Sequence, residues 1–283
     1  MSPKVHYECE DAGDNRRDVP RERLSRPGAR LWSRESVGEV DRNQAILPDG
    51  CVDVIWLDGE LLVAGPDTVA QQTTIRATSR YRAIRLPPGM GPAVLGVPAH
   101  EIRDARPLLA ELWPPDTVRR CADQLSAASA GEQYLLLERL VAERLAQNPV
   151  PAATSAIATA ITGAVAVADI AECIGWNERR LLRHCRGAFG YGPQTLRRIL
   201  RFDRAVRAAR SGTPLADVAA ATGYADQAHL AREARNFGGA PLSRIIGPLA
   251  AQPGKAAKRS TVCPSGSCTT AYRCPQNASH GGR

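Results

Sequence analysis

One stretch of this chain occurs twice, and the repeat decides how the carboxy-terminal third folds. The two copies are DIAECIGWNERRLLRHCRGAFGYGP at residues 169–193 and DVAAATGYADQAHLAREARNFGGAP at residues 217–241, an offset of 48 residues. The matches include six identities and two conservative pairs: Asp169 and Asp217, Ile170 and Val218, Ala171 and Ala219, Gly175 and Gly223, Trp176 and Tyr224, Phe189 and Phe237, Gly190 and Gly238, Pro193 and Pro241. Agreement at a single offset indicates two copies of one supersecondary unit.

Each copy predicts two helices joined by a short turn. The pattern favours a first helix over residues 167–174 in one copy and over residues 215–222 in the other. A glycine follows each helix, where it can adopt a left-handed backbone, and a capping residue, Asn177 or Asp226, opens the next helix. This is the layout of a helix-turn-helix, whose second helix fits a DNA major groove. The alternative for a single copy is a helical hairpin that only packs.

The positive charge of the chain is concentrated near the first copy. The whole sequence has 37 Lys+Arg against 29 Asp+Glu, a formal charge of +8. Between Trp176 and Arg210 there are ten arginines and two acids, Glu178 and Asp203, so this segment alone carries ten minus two, also +8. A local excess of this kind is typical of a nucleic-acid footprint, whereas a solvated charged face usually mixes both signs.

A single long helix is predicted between the two copies. Proline at position 193 suits the first turn of a helix, and Ser211-Gly212 would end it. Apolar residues share one stripe of this helix: Leu196, Ile199, Phe202, Val206 and Ala209. Its 18 residues would span roughly 27 Å, enough to hold two recognition helices in successive major grooves, about 34 Å apart.

These residues give the segment from about 155 to 246 a resemblance to the DNA-binding domain of the AraC/XylS family of bacterial transcription regulators. The matching marks are Asp169-Ile170-Ala171, Gly175-Trp176, Leu181, Arg183, Phe189-Gly190-Tyr191-Gly192-Pro193, Val218-Ala219, Gly223-Tyr224, Gln227, Leu230, Arg232, Phe237-Gly238 and Pro241. The resemblance implies seven helices that hold two helix-turn-helix motifs. The sequence departs from the family at Cys185 and Ala234, where a core phenylalanine is usual, and we expect looser packing there.

The resemblance also implies which residues contact DNA. Base edges would be read by Arg179, Leu182 and Arg183 in the first motif and by Gln227, Ala228, Ala231 and Arg232 in the second. Asn177 and Arg180 would lie nearer phosphates, and Asp226 and His229 beside the second reading face, with a merely half-exposed histidine as the alternative for His229. For Arg197, Arg198 and Arg201 on the joining helix, phosphate contact and plain solvation are equally expected. Arginine and glutamine suit guanine and adenine, whereas alanine offers only a thymine methyl contact, so the second motif should discriminate less.

The rest of the chain predicts an amino-terminal β unit. Short β-prone runs over residues 44–47, 52–57, 61–64 and 81–86 are separated by turn signals, and helical stretches follow at 118–127 and 132–147. The predicted fold class is therefore α+β, with a small antiparallel, cupin-like β unit and following helices before the all-α seven-helix domain. The segments 47–56, 64–68 and 95–99 resemble one subgroup of the β-rich domains that bind an effector or another subunit in many AraC-type regulators.

Four parts of the chain are expected. They are a disordered arm at 1–35, a β-rich regulatory or effector domain with carboxy-terminal helices at 36–148, an AraC-type double helix-turn-helix domain at 152–250, and a disordered tail at 251–283. The residues 147–151, Gln-Asn-Pro-Val-Pro, break the preceding helix and predict a linker. The eight cysteines have no pairing pattern, so we expect reduced thiols.

We therefore expect a sequence-specific DNA-binding transcription regulator, with activation as the commoner family role, and no enzyme, cofactor or metal. The resemblance implies double-stranded DNA and RNA polymerase as partners and leaves open an unknown small-molecule effector and a homodimer. With no apolar leader or membrane span in the sequence, the expected location is the cytoplasm, at the nucleoid.

Two alternatives remain. One is a methyl-accepting DNA-repair sensor that uses Cys51, although the nearby aspartates disfavour a thiolate. The other is a helical interaction module that does not bind DNA.

Overall fold

The computed structural model describes residues 23–24, 28–35, 42–77 and 79–247. Seven strands precede the helices: β1 (Arg23–Leu24), β2 (Arg30–Glu35), β3 (Arg42–Ile46), β4 (Val52–Leu57), β5 (Glu60–Ala64), β6 (Gln71–Ile75) and β7 (Arg80–Leu86). Five of them form an antiparallel sheet in the order β1-β2-β7-β4-β5, and β3 pairs with β6 in a second sheet. The predicted antiparallel β unit is confirmed.

Strand β4, which lies between β7 and β5, is buried along its whole length, which explains its nearly continuous apolar sequence. Val54 and Trp56 belong to one core, which also holds Leu137 and Val141 of a following helix. Ile55 belongs to a second core, which includes Ile75 of β6. Alternate residues of one strand therefore contribute to two apolar clusters.

A buried ion pair joins two neighbouring strands of this sheet. Asp53 on β4 is the direct cross-strand partner of Arg85 on β7. Its Oδ1 and Oδ2 accept hydrogen bonds from Nε and Nη2 of Arg85 at 3.0 and 2.9 Å, and Trp32 Nε1 donates to Oδ1 at 3.0 Å. Because these polar groups are paired, both charges can be buried between apolar neighbours.

The predicted disordered arm over residues 1–35 needs correction at its end. Arg30–Glu35 forms strand β2, which pairs with β7, and Leu31 and Trp32 are buried at 0% and 1% exposure. The apolar pair is too short to stand out in the sequence from the polar residues around it. Residues 1–22 and 25–27, and the predicted tail at 251–283, lie outside the described residues.

Within the described residues, three α-helices follow the sheets, and seven more form the carboxy-terminal part. The first are α1 (Gly91–Leu95), α2 (Pro115–Ala127) and α3 (Ala130–Gln147). The others are α4 (Ala152–Thr162), α5 (Val167–Cys173), α6 (Glu178–Phe189), α7 (Pro193–Arg210), α8 (Leu215–Thr222), α9 (Gln227–Gly238) and α10 (Leu242–Ile246). The α+β class and the seven-helix expectation are confirmed, and α7 and α8 have the predicted bounds.

The β-rich part packs directly against the helical part. The Ala99 amide donates to the carbonyl of Gly187 at 2.7 Å, at the end of α6, and the Ala70 amide donates to the carbonyl of Phe237 in α9 at 2.6 Å. Leu47 belongs to the apolar core of the helical part. Both helix-turn-helix copies therefore contact the amino-terminal part.

The Gly190→Ala substitution tests this packing. Gly190 ends α6 with φ +88°, and a Cβ atom there would lie 2.8 Å from Pro66 Cγ and 3.3 Å from the Ala99 carbonyl oxygen. Gly239 ends α9 with φ +65° and no atom within 4 Å of such a Cβ, so Gly239→Ala is the matched control. We expect Gly239→Ala to cost about 1–2 kcal/mol from the left-handed backbone alone. Gly190→Ala should cost about 1–3 kcal/mol more in urea unfolding, because it also overpacks the contact. Equal losses would contradict the packing.

Three cysteines of the described part, Cys51, Cys121 and Cys185, carry free thiols. Cys173 is disulfide-bonded, which corrects the expectation of reduced thiols throughout. Among the described residues, no helix has the length and apolar character needed to cross a bilayer. The same residues contain no group of three or more metal-ligating side chains.

Candidate nucleic-acid interface

The first motif consists of α5, a turn at Gly175 and α6. Gly175 has φ +64°, the left-handed conformation that the sequence predicted. Asn177 caps α6, since its Oδ1 accepts a hydrogen bond from the Arg180 amide at 2.8 Å. Leu181, Cys185 and Phe189 form the buried face of α6. Cys185 is 0% exposed, so the smaller residue still fills a core position.

The opposite face of α6 is exposed and basic. It carries Arg179, Leu182, Arg183 and Arg186, and Leu182 is 37% exposed. Within the part of the chain that the structure describes, none of the three arginines has a hydrogen-bond or ion-pair partner. Three of the predicted DNA-binding residues, Arg179, Leu182 and Arg183, therefore share one accessible surface. Arg186 joins them, although the sequence reasoning did not single it out.

Arg180 has a different position from its neighbours. Its guanidinium lies 4.4 Å from the ring centroid of Trp176, a cation–π contact within its own motif. The other side of the motif is tied to α4, because Thr154 Oγ1 and His184 Nε2 are 2.9 Å apart. Arg180 and Asn177 thus have local structural roles, and their predicted proximity to phosphates stays a prediction.

The second motif repeats the layout with α8, Gly223 and α9. Gly223 has φ +78°, and Asp226 caps α9 by accepting a hydrogen bond from the His229 amide at 2.6 Å. Gln227, Ala228 and Arg232 are exposed, whereas Ala231 is only half-buried. His229 is also half-buried, and its ring meets Tyr224 edge-on at 5.1 Å, which fits the structural alternative given above.

A buried carboxylate anchors α9, and the sequence did not reveal it. Glu233 is 3% exposed, and its Oε1 accepts from Arg198 Nε at 2.7 Å. Its Oε2 accepts from Arg201 Nη2 at 3.1 Å and from the Tyr224 hydroxyl at 3.0 Å. Burial alone would raise the pKa of Glu233, but the hydrogen bonds from the two arginines lower it below its ordinary value. The carboxylate therefore stays charged and holds α9 against α7.

These contacts give Arg198 and Arg201 a partner within the protein, whereas the sequence left phosphate contact and plain solvation equally expected. Arg201 also lies 4.3 Å from the Tyr224 ring centroid, and Arg198 lies 5.1 Å from that of Phe237. Arg197 Nη2 donates to the Ala164 carbonyl at 3.4 Å, a weak contact. Arginines of α7 therefore hold neighbouring elements of the domain in place. Their phosphate contacts stay predictions.

A Glu233→Gln variant should change the acid stability of the protein. The folded pKa of Glu233 lies below its ordinary value of 4.5, so the ionised group stabilises the fold above that pH. The contribution is lost as pH falls through the folded pKa. We therefore expect the free energy of unfolding to fall more steeply with acid in the wild type than in Glu233→Gln, measured by urea titration at several pH values. Parallel curves would contradict the assignment.

Helix α7 connects the two motifs through its apolar stripe. The predicted residues Leu196, Ile199, Phe202, Val206 and Ala209 are all buried, together with Ala205. They belong to one core that includes Leu181 and Phe189 of α6 and Leu230 and Phe237 of α9. Both recognition helices therefore pack into a single cluster with α7, as a rigid spacer requires.

Cys51, the candidate methyl acceptor, is poorly suited to that role. It is half-buried, its amide donates to Asp49 Oδ1 at 2.9 Å, and its thiol faces the Asp49 carbonyl at 3.9 Å. Burial and the negative charge of Asp49 raise the pKa of the Cys51 thiol well above its usual range, which outweighs the opposing effect of Arg85. A thiol that stays protonated is a weak nucleophile, which works against the repair alternative.

Comparison with known proteins agrees with the two-part layout. Residues 170–246 match the family described as a helix-turn-helix domain, and residues 16–107 match a domain of unknown function, DUF6597. No curated protein matches the chain. The helix-turn-helix match covers both copies of the repeat apart from Asp169.

Among solved structures, the chain is similar to ToxT from Vibrio cholerae. The 1.65 Å structure of ToxT shares 11% sequence identity with this chain. The match covers 77% of this chain and 97% of the ToxT chain, with a TM-score of 0.42. Wild-type ToxT of strain SCE256, with unsaturated fatty acid bound, shares 9% sequence identity with this chain. The match covers 80% of this chain and 97% of the ToxT chain, with a TM-score of 0.43.

Proposed function

Since the carboxy-terminal domain of this chain is a helix-turn-helix domain of the AraC type, we propose that the protein is a sequence-specific DNA-binding regulator that activates transcription. The resemblance of the motifs supports double-stranded promoter DNA and RNA polymerase as partners, and the cytoplasmic nucleoid as the location. The amino-terminal part would then regulate this activity, since it contacts both motifs through the Ala99 and Ala70 amides.

One observation carries the proposal. The face of α6 that is expected to read bases is exposed, and its Arg179 and Arg183 have no partner among the described residues. By contrast, Arg198 and Arg201 on α7 both form ion pairs with Glu233. Arginine side chains left unpaired beside a recognition helix are suited to guanine edges and phosphates.

Equilibrium binding to DNA tests the proposal. A cognate duplex is first selected from a random library with the full-length protein, and its affinity is then compared with that of a scrambled duplex between 50 and 200 mM salt. We expect affinity to fall by about 10³–10⁵ over this range if six to ten phosphates are contacted. The cognate duplex should bind at least about 10³-fold more tightly than the scrambled one. Weak binding without salt dependence would favour the interaction-module alternative.

Activation is tested separately by transcription in vitro from a promoter that carries the selected site. Purified RNA polymerase should produce more transcript when the wild-type protein is added. Lowered or unchanged transcript, with binding intact, would leave DNA recognition standing and contradict the activator role.

A further inference from the structure

A loop of the amino-terminal part is fixed beside the first recognition helix. Residues 98–104, here called the docking loop, follow α1 and meet the carboxyl end of α6. The Ala99 amide donates to the Gly187 carbonyl at 2.7 Å, and Arg103 Nη1 donates to the Gly190 carbonyl at 3.1 Å. At the end of the loop, Asp104 Oδ1 accepts from the Thr68 amide at 2.7 Å. Contacts at both ends therefore define where the docking loop lies relative to α6.

The docking loop and α6 border an open basic cleft of about 680 Å³. His100 and Arg103 line it from the docking loop, and Arg179, Leu182, Arg183 and Arg186 line it from α6. Among the described residues, no carboxylate lines this cleft. The face expected to read bases thus forms one wall of a cationic groove, and the amino-terminal part supplies the other wall.

Most of the positive charge in this cleft has no acidic partner within the described part of the protein. Arg179, Arg183, Arg186 and His100 have no ion-pair partner there. Arg103 forms a long ion pair with Asp104, with Nε 3.8 Å from the carboxylate, so its charge is partly offset. Four guanidinium groups facing one space repel one another, and an anion in the cleft would relieve that repulsion.

We propose that the docking loop is a second DNA-contacting surface, in which His100 and Arg103 bind phosphates of the strand that flanks the groove occupied by α6. A major groove is about 12 Å wide, so a helix seated in it has a phosphate backbone on either side. The docking loop shares a cleft with the reading face of α6 and is anchored to the same helix. This inference rests on the proposed DNA binding and extends it to a part of the chain outside the helix-turn-helix domain.

The consequence is a direct link between the two parts of the protein. Phosphate contacts position a protein on the duplex without reading sequence. The docking loop would therefore add affinity for every duplex alike, and a shift of the amino-terminal part would change that affinity while the base preference of α6 stays the same.

The test compares full-length variants by the slope of log affinity against log salt, on the cognate and a scrambled duplex. Arg103→Gln removes the guanidinium, and His100→Glu places a negative charge in the cleft without removing any bond to a described residue. Arg119→Gln is the control, since this exposed arginine on α2 pairs with Asp116 and does not line the cleft. Arg183→Ala is measured alongside as a probe of base reading.

We expect Arg103→Gln to reduce the magnitude of the slope by about 0.9, the value for one lost phosphate contact. His100→Glu should weaken binding to both duplexes by the same factor, and Arg119→Gln should match the wild type. If Arg103→Gln does not fold, His100→Glu decides the matter by itself.

The inference is overturned if both loop variants match the wild type, or if they bind more tightly, since the docking loop would then obstruct α6. In those cases a normal salt dependence and a lost base preference in Arg183→Ala would leave the proposed function intact. Absence of duplex binding by the wild type would remove both.

Discussion

Replacing Arg183 by alanine should weaken binding to the cognate duplex by about 1–3 kcal/mol, or roughly 5–150-fold, and should relax the base preference at one position of the site. The physical reason is that Arg183 lies on the exposed face of α6 and has no partner within the described residues that the substitution would also disturb. A guanidinium can bind the O6 and N7 atoms of guanine together, and alanine offers no replacement for either bond.

The comparison with scrambled DNA separates base reading from general electrostatic attraction. Arg183→Ala should lose much less affinity for a scrambled duplex than for the cognate one, whereas loss of a phosphate contact would weaken both equally. Arg139→Ala is a suitable control, because Arg139 is an exposed arginine of α3 that pairs with Glu143. Equal losses for Arg183→Ala on both duplexes would refute its role in base reading.

Replacing Glu233 by alanine should destabilise the protein by about 2–4 kcal/mol in urea unfolding. The substitution removes the acceptor of three hydrogen bonds and leaves the buried Tyr224 hydroxyl without that partner. We place the cost below that of breaking a fully buried pair, because the Arg198 side chain is 46% exposed and can turn toward water.

A surface glutamate of the other motif provides the control for this substitution. Glu172 lies exposed on α5, so Glu172→Ala should change the free energy of unfolding by no more than about 0.5 kcal/mol. The Glu233→Ala variant should also have a lower affinity for DNA than the loss of folded protein alone would cause, because α9 is no longer held against α7 by these hydrogen bonds. A loss below about 1 kcal/mol would show that the Glu233 contacts contribute little to stability.

The sequence predicts the helical part well because local signals and the repeat agree there. Gly175, Gly223, Asn177 and Asp226 have the turn and cap conformations expected of their residue types. Such signals act over a few residues, so the bounds of α7 and α8 follow from them directly. The bounds of strand β4 were also predicted correctly. Its six residues, all buried in the structure, form a short and mostly apolar run between two turn signals.

Features that depend on distant contacts could not be predicted in this way. Glu233 resembles an ordinary exposed glutamate in the sequence, and its partners Arg198 and Arg201 are 35 and 32 residues away. The arginines of α6 and α7 are alike in sequence, yet tertiary packing leaves Arg183 without a partner among the described residues and pairs Arg198 with a carboxylate. The docking loop is likewise distant in sequence from α6, since Arg103 reaches Gly190 across 87 residues.

In the proposed complex, the two recognition helices of a single chain bind one duplex in successive major grooves. Hydroxyl-radical footprinting of the full-length protein on its selected site tests this arrangement most directly. We expect two protected patches on the same face of the duplex, about 10 base pairs apart, and a large loss of affinity when about five base pairs, half a turn, are inserted between them. A single protected patch, or affinity unchanged by the insertion, would contradict it.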